Sequence, residues 1–177
     1  MTNDRDIRRE LALAAARQMI IAARTAPKAK GLDLIETSLT NKPEELNALA
    51  ERMEKLYEEN HLKFFLRDAD NIRQADALVL IGTHRQPLNL NCGYCGSPTC
   101  SQKTPETPCA FNSIDVGVAV GSACAVAASL HVDCRVMYSA GSAAATLGWP
   151  ASDCSQVIAI PLSISSKNPF FDRKPKE

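Results

Sequence analysis

The chain has 177 residues, a formal net charge of zero, 45% hydrophobic and 23% charged residues, the make-up of one globular domain able to bury its own core. No basic stripe is present, which argues against a nucleic-acid partner. The charged start MTNDRDIRRE has no apolar segment of a secretory signal, and the least polar run, Val116 to Leu130, is short and diluted by Gly, Ala and Ser, so no membrane partner and a cytoplasmic location are expected.

The first helix is expected from about Asp4 to Arg24, capped by Asn3 or Asp4, with Ile7, Leu11, Ala15, Met19 and Ala22 on its buried face. Pro27 and Gly31 end it. Asp33 to Leu39 reads as a short strand. Thr40 or Asn41 then caps a second helix with Pro43 in its first turn, and Leu46, Leu49, Ala50, Met53, Leu56 and Tyr57 form its apolar stripe. A short helix is expected around Asp68 to Gln74, then a buried strand from Ala77 to Ile81. Thr83 to Asn112 has no periodicity and reads as a long functional loop. The segment IDVGVAVGSACAVAASL is apolar nearly all round and predicts a central buried helix, with Asp115 as its cap. CRVMYSA predicts a strand, AGSAAATLGWP a short helix closed by Gly148 and Pro150, and QVIAIPL a last buried strand. Strands alternate with helices, so the fold class is α/β or α+β in one domain spanning 1–177. Asp133, Arg135, Tyr138 and Ser139 flank a strand end, where pockets of such folds often lie. The basic tail Arg173-Lys174-Pro175-Lys176 reads as a solvated end.

The long loop holds four of the seven cysteines, Cys92, Cys95, Cys100 and Cys109, in the order C-x2-C-x4-C-x8-C. In a reducing compartment such a group points to metal or redox chemistry rather than disulfides. Thiolates are the ligands of iron–sulfur clusters and of structural zinc. Gly93 and Gly96 directly follow two of the cysteines, where a positive φ lets the chain turn and the amides can face sulfur. Four-cysteine zinc sites usually combine two C-x2-C pairs, whereas this loop has one pair and two single cysteines. The two-iron plant order is the reverse of this one, so a [4Fe–4S] cluster is favoured, with zinc or a structural or sensory cluster as the alternative. Cys124, Cys134 and Cys154 read as small buried hydrophobes, any of which could replace Cys109 as fourth ligand. His84, just before the loop, could ligate or shuttle protons, though a lone loop histidine usually does neither.

NCGYCGSPTC resembles the core of four-iron CG-x-CG-x-x-x-C domains. Over most of its length the chain resembles an uncharacterised prokaryotic family described as containing a ferredoxin domain, whose members are similar to nitroreductases in fold. AARTAPKAKGLD, DVGVAVGSACAVAASLHVDCR and LGWPASDCSQVIAIPLS carry that likeness to the end of the first helix, the central helix, and the last turn and strand of the nitroreductase fold. The resemblance implies a nitroreductase-like sheet-and-helix domain with the cysteine loop, 88–112, inserted before the central helix. It also implies a homodimer and FMN, with Arg24, Thr25, Pro27, Lys28 and Lys167 as flavin contacts. The phosphate-binding Arg-Arg-Ser-x-Arg of that fold is represented only by Arg8-Arg9, followed by Glu10. Together these readings lead to an electron-transfer protein or a flavin-dependent oxidoreductase, or else to a non-enzymatic metal-binding protein.

Overall fold

The computed structural model describes residues 1–172; the tail Arg173-Lys174-Pro175-Lys176 lies outside the described residues. Five α-helices and four strands follow in the order α1 (Arg8–Thr25), β1 (Ile35–Thr40), α2 (Pro43–Asn60), α3 (Phe64–Arg73), β2 (Ala77–His84), α4 (Ala110–Ser129), β3 (Asp133–Cys134), α5 (Tyr138–Thr146) and β4 (Cys154–Ser163). The sheet order is β1-β2-β4-β3 and every pair is antiparallel.

β2 explains how one sheet serves two cores. It is apolar and buried along nearly its whole length, the sign of a strand covered on both faces. Its side chains alternate: Leu78 and Leu80 join one cluster with α2, α3 and α5, while Ala77, Val79 and Ile81 join another with α1 and α4. β4 does the same, sending Val157 and Ala159 to the first cluster and Ile160 and Leu162 to the second. The domain is therefore three layers, helices on both faces of a mixed-in-sequence but antiparallel sheet.

α2 buries the predicted stripe Leu46, Leu49, Ala50, Met53 and Leu56. Pro43 is its first residue and His61 closes it in the left-handed region. The cap differs from expectation: Lys42 stands at the cap position with no side-chain bond, although the Thr40 hydroxyl accepts from the Lys42 N–H at 3.0 Å.

α1 starts at Arg8 rather than Asp4, and its buried face is Ala12, Ala15, Ala16, Met19 and Ala23. Leu11 is exposed. The helix is turned so that its alanines face Val116, Ala119, Val120, Ala123 and Ala127 of α4. Small residues on both sides let the two backbones approach, and this outweighs burying the larger Leu11. α3 begins at Phe64, ahead of the expected Asp68, because Phe65 is buried in the core and Asp68 is no cap. Asp68 is itself buried, accepts a 2.6 Å bond from the Ser139 hydroxyl and pairs with Arg67.

Two further expectations change. Of CRVMYSA only Cys134 pairs as a strand residue, together with the preceding Asp133; Met137 adds a single bridge to Ala159, and Tyr138 already opens α5. α4 is not enclosed. It is 20 residues long and apolar enough to cross a membrane by length and composition, yet only 39% of its apolar window is buried. Its buried face meets α1 and the sheet, and Ile114 and Val118 are exposed on the other side.

Candidate metal centre in the cysteine loop

β2 runs to His84 and α4 begins at Ala110, so the loop occupies 85–109 with one short 3-10 turn at Cys100–Gln102. It is fixed at both ends. The buried side-chain amide of Asn112 donates to the carbonyls of His84 at 3.1 Å and Gln86 at 2.9 Å. Leu88 is buried, and Lys30 donates to its carbonyl at 3.0 Å.

Between these anchors the backbone turns repeatedly. Asn89, Asn91, Gly93 and Gly96 all have positive φ, the region glycine and asparagine enter at least cost. The Gly96 N–H donates to the Gly93 carbonyl at 2.9 Å, closing a turn around Tyr94 and Cys95. Asn91 clasps the third cysteine: its side-chain oxygen accepts from the Cys100 N–H at 2.9 Å, and its own N–H donates to Cys100 Sγ at 3.4 Å. Tyr94 stacks on Phe111 of α4, the ring centres 5.6 Å apart. The turning glycines predicted by the sequence are thus present, while the asparagines were missed; their signal was the repeated Asn in PLNLNCG.

All seven cysteines are free thiols, with Cys92 exposed, Cys95 and Cys100 half-buried and Cys109 buried. Cys109 is the cap residue at the N-terminus of α4. The unpaired N–H groups and positive dipole end of a 20-residue helix make this a position that suits a negatively charged group. The Cys95 thiol lies below its ordinary range because the Ser97 backbone N–H donates to it. Cys109 and Asn112 share a small cavity of about 130 Å³ with Arg85, Pro108 and Gln156. The Asn112 Oδ1 atom is buried there without a hydrogen-bond partner.

The remaining cysteines sit elsewhere. Cys154 is buried. Cys124 of α4 and Cys134 of β3 are half-buried, and each thiol acts on the other: Cys124 holds Cys134 down to about 7, while Cys134, with burial, pushes Cys124 up. They are neighbouring thiols rather than two isolated hydrophobes.

Arg24, Thr25, Pro27 and Lys28 lie together at the end of α1, where each polar side chain is engaged within the fold. Arg24 donates to Asp33 at 2.7 Å and to the Ile35 carbonyl, and Thr25 to the Ile21 carbonyl at 3.0 Å. Lys28 folds back onto the last carbonyls of α1, 2.6 Å from Ala23 and 2.7 Å from Arg24. Burial lowers its ammonium below the lysine range. Lys167 pairs with Asp172 at 2.7 Å. Arg8 pairs with buried Asp76 at 2.8 Å, and Arg9 reaches the Asn41 carbonyl at 3.4 Å. The C-terminus of α1 is the negative end of its dipole, which Lys28 offsets by its bonds to the last carbonyls. Asp115, expected to cap α4, is buried within it and accepts from the Ala29 N–H at 3.1 Å, pinning the turn after α1.

A separate groove of about 770 Å³ opens between α4 and α5 along the start of β4. Val116, Gly117 and Val120 form one wall, Tyr138 and Ser142 the other, and Gln156 lies on its floor. Of the residues flanking β3, Tyr138 lines this groove, whereas Ser139 and Arg135 converge on Asp68, Arg135 at 3.6 Å.

These features can be set beside known proteins. Residues 106–173 match the family described as "Uncharacterized protein containing a ferredoxin domain (DUF2148)". An uncharacterized protein of Archaeoglobus fulgidus is 40% identical over the whole of both chains. The chain belongs to this ferredoxin-domain family. The matched segment spans α4 to β4 and takes in Cys109 of the four loop cysteines. In three dimensions the chain is similar to a nitroreductase with bound FMN from Bacteroides fragilis, with a TM-score of 0.63 at 12% identity over 93% of this chain and 83% of that one. It is also similar to a BluB-like flavoprotein from Clostridium difficile, with a TM-score of 0.59 at 16% identity over 93% and 84%. At these identities the likeness establishes the nitroreductase fold for the family member, and the fold alone.

Proposed function

We propose that this is an iron–sulfur redox protein in which Cys92, Cys95, Cys100 and Cys109 hold a [4Fe–4S] cluster on a nitroreductase-type scaffold. The loop carries this reading: four thiols in one anchored segment, turned by four residues of positive φ, with the last thiol at a helix N-terminus. When bound, the cluster supplies reversible one-electron chemistry. The chain's own part is to donate to the sulfurs, through the Ser97 N–H at Cys95 and the Asn91 N–H at Cys100, to place Cys109 at the α4 N-terminus, and to set the potential through those bonds and through burial. Cysteine order supports iron over zinc: four-cysteine zinc sites usually combine two C-x2-C pairs, and this loop has one pair and two single cysteines.

The protein works as a cytoplasmic homodimer, with no nucleic acid or membrane, exchanging electrons with a redox partner protein. The bare side of α4, with Ile114, Gly117, Val118 and Gly121 exposed, is the surface that pairs. A flavin is a second reading, favoured by the groove between α4 and α5, whose volume suits a flat ring system. The occupant would then be held by groove residues, with Arg24, Thr25, Pro27, Lys28 and Lys167 left in their present pairings.

A Cys-to-Ala series with iron analysis under anaerobic conditions tests the ligand set. Loss of iron and colour is expected for each of the four loop cysteines, and retention for Cys124→Ala and Cys134→Ala. Full iron content in Cys109→Ala would overturn the assignment of the fourth ligand.

A further inference from the structure

The sheet brings a second set of metal-type donors together at the other end of the same loop. His84 ends β2 and Cys154 begins β4, and the two are direct partners in the antiparallel register, so both side chains leave the same face of the sheet. Glu36 of β1 pairs with Gly82, two residues before His84, and therefore shares that face. Asp153, next to Cys154, curls over the top. The result is compact: a ring nitrogen of His84, a carboxylate oxygen of Asp153 and the thiol of Cys154 all lie within 4.8 Å of one another.

His84 Nδ1 is 2.7 Å from Asp153 Oδ2, and its Nε2 is 3.1 Å from Glu36 Oε1. A Cys–His nucleophile pair is disfavoured, because both ring nitrogens are already engaged by carboxylates and burial pushes the Cys154 thiol up. A plain surface ion triad accounts for His84, Asp153 and Glu36 but leaves the thiol beside them without a role. The geometry points to a transition-metal site: His84 Nδ1, Asp153 and Cys154 bind one divalent zinc-type ion, with Glu36 as the positioning residue that holds the imidazole from behind.

The donor set fits that class of ion. Imidazole, carboxylate and thiolate together select zinc or a neighbouring borderline metal over magnesium or calcium. A tetrahedral ion with ordinary bond lengths holds such atoms about 3.3–3.8 Å apart, so donors that lie within 4.8 Å of one another need close by at most about 1.5 Å, while the 2.7 Å His84–Asp153 pair opens to admit the ion. A carboxylate hydrogen-bonded to the far nitrogen of a ligating histidine is the usual outer partner of such sites. A cleft of about 580 Å³ lined by His84, Arg85, Gln86, Ser152, Asp153 and Cys154 opens onto the donors, giving the ion an entry path and a fourth position for water. On binding, the ion replaces the proton between His84 and Asp153, and the Cys154 thiol releases its proton to solvent. No electron is transferred. The four loop cysteines take no part, so this site stands or falls independently of the cluster.

Zinc K-edge absorption spectroscopy on the full-length, anaerobically prepared protein tests the proposal, since the iron of a cluster does not contribute at that edge. After addition of zinc and removal of the excess, about one zinc per chain is expected, with one sulfur and three nitrogen or oxygen neighbours. Cys154→Ser should lose the sulfur neighbour. Asp153→Ala, at a largely exposed side chain where folding is not at risk, should weaken zinc binding at least tenfold. Glu36→Gln should weaken it by about tenfold while keeping the sulfur neighbour, and Cys124→Ala, outside both the loop and this site, should change nothing. A sulfur-only shell, unaltered binding in both Asp153→Ala and Cys154→Ser, or no retained zinc would each overturn it.

Discussion

Cys109 combines two positions that are rarely held by one residue. It closes the loop as a thiol and opens α4 as the cap residue, without any side-chain bond to the helix. Serine would be a better cap on its own. Cys109→Ser should therefore fold normally, with a melting temperature within a few degrees of the parent, and yet lose iron; a mutant that keeps its cluster would remove Cys109 from the ligand set. Cys124 and Cys134 lend themselves to a pH experiment. Cys134 is held down to about 7 by Cys124, so its thiolate fraction, and its alkylation by iodoacetamide, should climb as pH rises through about 7. In Cys124→Ala the rise should move up toward the ordinary thiol range near 8.5. Identical profiles in the two proteins would mean that the pair is not coupled. Sequence spacing singles out the loop cysteines as candidate ligands because four thiols without an apolar pattern have no packing explanation. It could not identify Asp115 as the clamp on Ala29 or bring His84 to Cys154, because both depend on contacts between residues far apart in the chain.

At the scale of elements, α5 lies on β4 with almost no space between backbones. A Cβ on Gly141 would stand 2.0 Å from the Val157 carbonyl oxygen and 2.7 Å from its carbon, a contact that backbone cannot yield. Gly141→Ala should cost more than about 2 kcal/mol, read as a drop in denaturant midpoint at unchanged slope. α2 was legible in full because its apolar residues recur at helical spacing and nothing else competes. The rotation of α1 was not legible. Periodicity selects a face by hydrophobicity, placing Leu11 inside, whereas the fold selects the face that lets α1 approach α4. The short β3 failed for a related reason: CRVMYSA has strand character, but the chain must turn away from the sheet at Met137 to place α5 over β4.

For the whole molecule, the fold class was legible from the alternation of elements, and the family from the motif stretches, since local sequence and global layers agree. What a single chain hides is the partner. α4 is written as if for complete burial, and the described monomer covers only one side of it. A charge placed on the bare side, Val118→Glu, should shift the protein from dimer to monomer in light scattering after gel filtration, leaving iron content unchanged. A monomer in the parent protein would remove α4 as a pairing surface.

The proposed four-iron cluster in the loop is checked by anaerobic purification of the intact protein, with the visible spectrum recorded and iron, acid-labile sulfide and released flavin quantified on one sample. Brown absorbance with about four irons and four sulfides per chain is expected. A colourless protein with neither iron nor sulfide, its loop thiols bound to zinc alone, would contradict it.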